Sequence, residues 1–169
     1  INYEIQKIVH GANALDAVIL IRKINIFGLD NLYENSFFLD LKKINSEELK
    51  GKNLGIIGYG SVGKIVSEYC AKIGLEIIVY DKYLDKLKKK NKFQLSSLSF
   101  LLKNSDIISL HLPLNKESKN LINKNSFTKM KKKPIIINTS RGSIINEKDL
   151  LNAYNKNLIS GFALDVFEN

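Results

Sequence analysis

The apolar positions of this chain fall into short runs that are separated by longer segments with helical spacing. Runs that are apolar throughout, between such segments, predict strands of a parallel sheet that is buried on both faces. The predicted strands are residues 53–58, 75–80, 106–111, 134–138 and 159–164. The predicted helices are residues 62–73, 95–103, 124–131 and 147–156. With right-handed crossovers, this alternation predicts an α/β fold with a doubly wound parallel sheet.

The first 45 residues do not share this alternation and predict a separate N-terminal segment. Within it, residues 13–27 are strongly apolar and predict one buried helix, with Asn13 as its N-cap and Gly28 as its stop. This helix is too short to span a bilayer. We expect the segment to pack on a single domain that is formed by residues 46–169.

Three glycines stand between the first predicted strand and the first predicted helix. Gly58, Gly60 and Gly63 form the pattern G-x-G-x-x-G. In this setting the first glycine allows a tight turn, the second lets a pyrophosphate approach the backbone, and the third lets the helix pack close to the strand. Asp81 ends the second predicted strand, about 20 residues further on, where an acid binds the ribose in Rossmann-type dinucleotide-binding domains. The alternative is an ordinary α/β turn with a surface aspartate.

Polar residues also follow the remaining predicted strands: residues 111–114 follow the third, residues 138–142 the fourth and Asp165 the fifth. Ligands of open α/β sheets bind outside the carboxyl ends of the strands. We therefore expect these residues to form one site along one edge of the sheet.

The chemistry expected of the individual residues at this edge differs. Arg141 lies in a turn beside a glycine and suits a two-pronged hydrogen bond to a carboxylate, although a surface arginine is the alternative. Asp165 has apolar neighbours, so we expect a partly buried carboxylate that accepts a hydrogen bond from a cofactor amide or from backbone. His111 precedes a proline at the end of an apolar strand, and we expect it to be a hydrogen-bonded structural residue.

Composition narrows the class of protein. The net charge of +9 invites a nucleic-acid interpretation, but the lysine clusters at 86–90 and 129–133 contain no interleaved aromatic residues. We favour a solvated surface over a nucleic-acid patch.

The lone cysteine, Cys70, excludes a disulfide framework, fits a reducing compartment and is expected to be a packed core thiol. One cysteine and two distant histidines give no metal-ligand spacing, so no metal is expected. No apolar run is long enough to cross a membrane.

Four stretches together resemble the D-isomer-specific 2-hydroxyacid dehydrogenases. They are residues 48–63 (ELKGKNLGIIGYGSVG), 109–114 (SLHLPL), 137–142 (INTSRG) and 163–167 (ALDVF). Their order and spacing match this family over roughly residues 46–169, with the phosphoglycerate dehydrogenase branch the most similar. The resemblance implies an NAD-binding Rossmann domain of an oxidoreductase that moves hydride between NAD(H) and C2 of a D-2-hydroxy or 2-oxo acid. It also implies the 3-phosphoglycerate dehydrogenase or hydroxypyruvate/glyoxylate reductase type.

The resemblance further implies roles for individual residues. Backbone at Ser61 and Val62 would meet the pyrophosphate, and Asp81 would bind the adenosine ribose and so favour NAD over NADP. Arg141 would be the catalytic arginine that holds the substrate carboxylate and carbonyl. The implied cofactor-binding set is Gly58, Gly60, Ser61, Val62, Gly63, Asp81, Leu112, Pro113, Ser118, Thr139, Ser140, Arg141 and Asp165.

The family also uses a glutamate and a histidine as acid and base. By the family's spacing the glutamate would be residue 170 and the histidine would follow later, whereas Glu168 is out of register. We therefore expect a piece of a longer enzyme that lacks most of the substrate domain and is inactive alone. The resemblance implies a cytoplasmic homodimer, with residues 14–27 as a candidate contact. Two alternatives stay open: a non-catalytic NAD-sensing protein of the same fold, and a basic nucleic-acid-binding module.

Overall fold

The computed structural model describes residues 49–84 and 93–168, which form a six-stranded, all-parallel sheet covered by helices. The strands are β1 Asn53–Ile57, β2 Glu76–Tyr80, β3 Gln94–Leu95, β4 Ile107–Leu110, β5 Ile135–Asn138 and β6 Gly161–Leu164. The helices are α1 Ser61–Lys72, α2 Leu98–Asn104, α3 Lys124–Phe127 and α4 Glu147–Asn155, with a 3-10 turn at Gly142–Ile144. The strand order is β3-β2-β1-β4-β5-β6, so the direction of winding reverses between β1 and β4.

The sheet is apolar on both faces because successive residues of a strand point to opposite sides. In β4, Ile107 packs in the core cluster that contains Val66 and Cys70 of α1. Its neighbour Ile108 packs in the cluster on the other face, with Leu101 of α2. Each such fully buried aliphatic side chain contributes about 1.5–3 kcal/mol to folding. Burial also raises the pKa of the Cys70 thiol to about 12, which confirms the expected core thiol.

The predicted α/β fold and all five predicted strands are confirmed. The short edge strand β3 was not predicted, and the helix predicted from residue 95 begins three residues later. The reason is that Gln94 and Leu95 pair with β2, and Ser97 then caps α2 by accepting a hydrogen bond from the N–H of Phe100. The helix predicted at 124–131 is also too long, since α3 ends at Phe127.

The helix predicted at 13–27 lies outside the described residues, as does the expected domain boundary at residue 46. Both stay predictions.

Candidate functional site

The carboxyl ends of all six strands meet at one edge of the sheet because every strand pair is parallel. The polar residues singled out in the sequence follow β1, β2, β4, β5 and β6, and so they lie along that edge as predicted. A crevice forms where loops diverge from neighbouring strands at the reversal of winding, here between β1 and β4.

The three glycines after β1 have different surroundings. Gly58 has a φ of 96°, and a Cβ atom there would lie 2.5 Å from the His111 carbonyl oxygen. A Cβ on Gly63 would overlap the carbonyl oxygen of Gly58, so α1 can start this close to β1 only with glycine. A Cβ on Gly60 would meet no atom within 4 Å, and its backbone angles (φ −73°, ψ −162°) suit any residue. Packing among the described residues therefore explains why positions 58 and 63 need glycine. It does not explain the glycine at position 60, where the space for a Cβ atom is open.

That open space lies at the N-terminus of α1. The first N–H groups of a helix have no partner within the helix and carry a partial positive charge. No acidic residue occupies the first turn of α1, so nothing there neutralises this charge. Ser61 and Val62 are exposed, and the Lys64 ammonium lies 5.9 Å from the centre of the Tyr59 ring. Such a helix end suits a phosphate group.

Asp81 connects the loops that follow β1 and β2. Its Oδ2 accepts a hydrogen bond from the N–H of Tyr59 at 2.8 Å, and its Oδ1 accepts one from the N–H of Tyr83 at 2.9 Å. Each carboxylate oxygen has about two lone-pair sites. One site on each oxygen therefore remains, which suits a pair of neighbouring hydroxyl groups.

The loop after β4 is shaped by Ser118. This buried hydroxyl donates to the Pro113 carbonyl at 2.6 Å and accepts from the N–H of Asn115 at 2.8 Å. Leu112 is half-buried and Pro113 exposed, so both can line a cleft. Because its only donor is engaged, Ser118 can influence a ligand mainly by holding this loop.

His111, at the start of the same loop, is a hydrogen-bonded residue as expected. Its Nε2 lies 2.9 Å from the Ser109 hydroxyl. Burial lowers the pKa of His111 to about 4, so the ring is neutral at pH 7.

Arg141 lies in a turn that Asn138 builds. Asn138 is buried at the end of β5, donates to the Arg141 carbonyl at 2.8 Å, and accepts from both the N–H and the hydroxyl of Ser140. The exposed guanidinium donates from Nη1 to the Ser140 carbonyl, and no carboxylate within residues 49–84 or 93–168 pairs with it. Asn138 was expected at this edge as part of residues 138–142, but no role was predicted for it; its signal is an amide at the last position of an otherwise apolar strand.

Asp165 is exposed, so the expectation of a partly buried carboxylate was wrong. It follows β6, the outermost strand on its side of the sheet that the described residues form. Partial desolvation still raises the pKa of this carboxyl. Its N–H donates to the Asn138 carbonyl. A Cβ on Gly142 would overlap the Phe167 carbonyl oxygen, so the segment after β6 lies against the turn that carries Arg141.

The lysines at 129–133 lie away from this edge. Lys132 pairs at 3.0 Å with Asp106, which precedes β4 at the amino edge of the sheet. In the part of the chain that the structure describes, no group of three or more His, Cys, Asp or Glu residues is placed to hold a metal ion. Nor is any helix of that part both long and apolar enough to cross a membrane.

The strand order, the glycine turn at the reversal of winding and the acid after β2 define a Rossmann-type dinucleotide-binding domain. The sequence model of the family "D-isomer specific 2-hydroxyacid dehydrogenase, NAD binding domain" matches residues 17–169. The chain therefore belongs to the NAD-binding domains of the D-isomer-specific 2-hydroxyacid dehydrogenases, and NAD is its cofactor. The expected family, fold and cofactor are confirmed.

Individual relatives agree with this assignment. The chain is 40% identical over 119 residues to a hydroxypyruvate reductase of Blautia hydrogenotrophica, covering 70% of this chain and 37% of the relative. It is 42% identical over 123 residues to the D-3-phosphoglycerate dehydrogenase of Bacillus subtilis, covering 72% and 23%. The crystal structure of a D-lactate dehydrogenase with NAD+ from Lactobacillus jensenii superposes with a TM-score of 0.67 at 31% identity, covering 90% and 46%. The chain thus spans less than half the length of each.

Proposed function

We propose that this chain is the cofactor-binding part of an NAD-dependent dehydrogenase that transfers hydride between NAD(H) and C2 of a D-2-hydroxy or 2-oxo acid. The named relatives support the substrate class, because hydroxypyruvate is a 2-oxo acid and 3-phosphoglycerate and lactate are 2-hydroxy acids. The observation that carries the proposal is the open space at Gly60, which the packing of the protein does not explain and a bound pyrophosphate does.

At the adenosine end, the residues present fit the cofactor. The free lone pairs of Asp81 accept hydrogen bonds from the two ribose hydroxyls. The N–H groups of Ser61 and Val62 donate to the pyrophosphate at the positive end of α1. Leu112 and Pro113 line the cleft, and Ser118 keeps their loop in place.

At the other end, Thr139, Ser140 and Asp165 flank the nicotinamide, which supplies the hydride acceptor when NAD is bound. Arg141 holds the substrate carboxylate and carbonyl, since its guanidinium is exposed and has no ion-pair partner among the described residues. These hydrogen bonds from Arg141 hold C2 of the substrate in position for hydride transfer. They also stabilise the negative charge that develops on the carbonyl oxygen of the substrate.

The cofactor site is tested by titrating the chain with NADH and NADPH. We expect the unchanged chain to bind NADH more tightly than NADPH, and Asp81→Ala to weaken NADH binding about tenfold or more, as expected for lost hydrogen bonds to a charged group. Glu76→Ala, an exposed acid at the amino end of the same strand, is the matched control. Equal NADH affinity in the Asp81 variant and the unchanged chain would contradict the assignment.

The reaction is tested with the whole protein by following NADH consumption with hydroxypyruvate, glyoxylate and pyruvate, and by determining the configuration of the glycerate and lactate that form, since glycolate is achiral. We expect the D product, with Arg141→Gln losing most of the activity and Arg141→Lys restoring little, because lysine lacks the planar fork. NADH binding without turnover of any 2-oxo acid would favour the non-catalytic NAD-sensing protein instead.

We also propose that the whole protein is a cytoplasmic homodimer. The outer face of α1 supports the dimer, because four exposed apolar residues at helical spacing form one stripe there: Val62, Ile65, Tyr69 and Ile73. The lone buried thiol supports a reducing compartment. The lysines at 129–133 are proposed to be solvated surface and not a nucleic-acid site, since they lie away from the cleft.

A further inference from the structure

Three exposed side chains join the loop after β2 to the loop after β4. The Lys82 ammonium donates to Oε1 of Glu117 at 2.7 Å, and the Tyr83 hydroxyl donates to Oε2 of the same carboxylate at 2.9 Å. Both oxygens of Glu117 are therefore engaged, and hydrogen bonding to Glu117 raises the pKa of Lys82. We call Lys82, Tyr83 and Glu117 the Glu117 cluster.

Local hydrogen bonds fix both loops. Asn115 Oδ1 accepts from the N–H groups of Glu117 and Ser118, while Ser118 holds the rest of the loop. On the opposite side, Asp81 accepts from the N–H of Tyr83. The Glu117 cluster thus links two loops that local hydrogen bonds hold in place. It lies next to Asp81, the residue that we propose to bind the ribose.

This position bears on the choice between NAD and NADP. The two cofactors differ by a phosphate on the 2′-hydroxyl of the adenosine ribose, and a cation near that hydroxyl is what accommodates the phosphate. Lys82 is the residue next to Asp81, but its ammonium is held by Glu117. A carboxylate at this place neutralises the lysine and also repels a phosphate.

We propose that Glu117 is a second determinant of cofactor selectivity. By binding the Lys82 ammonium, Glu117 prevents this lysine from pairing with a 2′-phosphate, and it thereby adds to the preference for NAD that is due to Asp81. The inference rests on the proposed placement of the ribose at Asp81. The role concerns selectivity and not stability, because an ion pair between side chains that are 57% and 51% exposed contributes little to folding.

The test is to measure dissociation constants for NADH and NADPH in the full chain, at one ionic strength, for Glu117→Gln, Lys82→Met and the double variant. Glu117→Gln is expected to improve the affinity for NADPH relative to NADH by about threefold to fivefold, the range of one exposed charge interaction. The double variant is expected to lose most of this gain, because the released cation is gone. The pH dependence of the Glu117→Gln gain should follow the ionisation of the 2′-phosphate near pH 6.

Two exposed residues away from the cleft provide matched controls. Glu76→Gln makes the same change in net charge at the amino end of β2, and Lys103→Met removes a lysine from the last turn of α2. Neither variant should alter the ratio of the dissociation constants for NADPH and NADH. Thermal unfolding of every variant verifies that the chain stays folded.

Three results would overturn the inference. An equal change in affinity for both cofactors would mean that Glu117 only holds the loops together. A gain that persists in full in the double variant would show that the lost negative charge of Glu117, and not the release of Lys82, raises the affinity for NADPH. Unchanged affinities for both cofactors would remove Glu117 from cofactor binding altogether. Absence of NADH binding by the unchanged chain would overturn the cofactor site itself, which is a separate failure.

Discussion

At the scale of single residues, the same amino acid serves different purposes within one turn. Gly58 and Gly63 are required by neighbouring backbone, whereas no described residue comes within 4 Å of the place where a Cβ of Gly60 would stand. Sequence alone presents these three glycines as one motif. The structure separates two glycines that the fold requires from one that the fold does not require, and the separation can be measured.

We expect Gly60→Ala to leave the free energy of unfolding within about 0.5 kcal/mol of the unchanged chain, because alanine fits both the space and the backbone angles. The same variant should weaken NADH binding about tenfold or more, equivalent to ~1.4 kcal/mol, since the Cβ enters the space of the pyrophosphate. Urea unfolding and NADH titration provide the two measurements.

Gly63→Ala is the variant with which Gly60→Ala is compared. It should lower the free energy of unfolding by about 1–3 kcal/mol, because the added methyl group collides with the Gly58 carbonyl and α1 must shift. The separation of roles is disproved if the two variants unfold alike, or if Gly60→Ala binds NADH normally.

The buried ring of His111 makes the stability of the fold depend on pH. Its pKa is about 4 in the folded protein, against 6.5 for an ordinary histidine. Between these values the unfolded chain binds a proton that the folded chain does not, so the free energy of unfolding falls as pH falls from 6.5 towards 4. The slope from this group is at most ~1.4 kcal/mol per pH unit.

Replacing the ring should remove that slope. We expect His111→Gln to unfold with a weaker pH dependence than the unchanged chain between about pH 5 and 6.5, above the range in which most carboxylates titrate. His10→Gln, a change at the other histidine of the sequence, is the control. Parallel stability curves for the unchanged chain and His111→Gln would show that His111 is not the titrating group.

At the scale of elements, apolar runs and glycine positions were enough to predict five strands, four helices and the shared edge of the site. The two-residue strand β3 was missed because its pairing with β2 is a tertiary contact and it is too short to show a pattern. The Glu117 cluster was missed for a similar reason, since Lys82 and Glu117 lie 35 residues apart in the chain. The expected burial of Asp165 was wrong because apolar neighbours in sequence do not reveal that β6 is the outermost strand among the described residues.

The loop after β4 is an element that one hydroxyl holds in shape. We expect Ser118→Ala to lower the free energy of unfolding by about 1–3 kcal/mol, because the N–H of Asn115 and the Pro113 carbonyl lose their partner. We also expect weaker NADH binding, as the loop that lines the cleft loosens. Urea unfolding and NADH titration measure the two effects.

Ser126→Ala removes another buried hydroxyl, which donates to the Leu121 carbonyl outside this loop. It should destabilise the chain without a matching loss of NADH affinity. If both serine variants lose NADH affinity equally, the effect of Ser118 is general destabilisation and not the positioning of the loop.

At the scale of the whole molecule, the parallel sheet divides the surface by purpose. The carboxyl edge carries the residues that we propose to bind the cofactor, the amino edge carries charges such as the Lys132–Asp106 pair, and the outer face of α1 carries the apolar stripe. The side chains of the stripe are exposed, so polar substitutions there should affect association more than folding.

We expect Ile65→Glu together with Tyr69→Glu to convert a dimer of the whole protein into monomers, because each dimer would bury a charge in place of an apolar contact at this face. Sedimentation velocity gives the mass in solution. Leu151→Glu, at an exposed apolar residue on α4, should leave the association unchanged. A dimer that survives the α1 substitutions would place the contact elsewhere.

The open space at Gly60 also bears on how this position is expected to change in evolution. On the proposed placement of the pyrophosphate, selection for a folded domain acts on Gly58 and Gly63, and selection for dinucleotide binding acts on Gly60. A descendant that no longer used NAD would retain the first and last glycines and drift first at the middle one. Position 60 therefore records whether a lineage still depends on the cofactor, independently of how well its fold has been preserved.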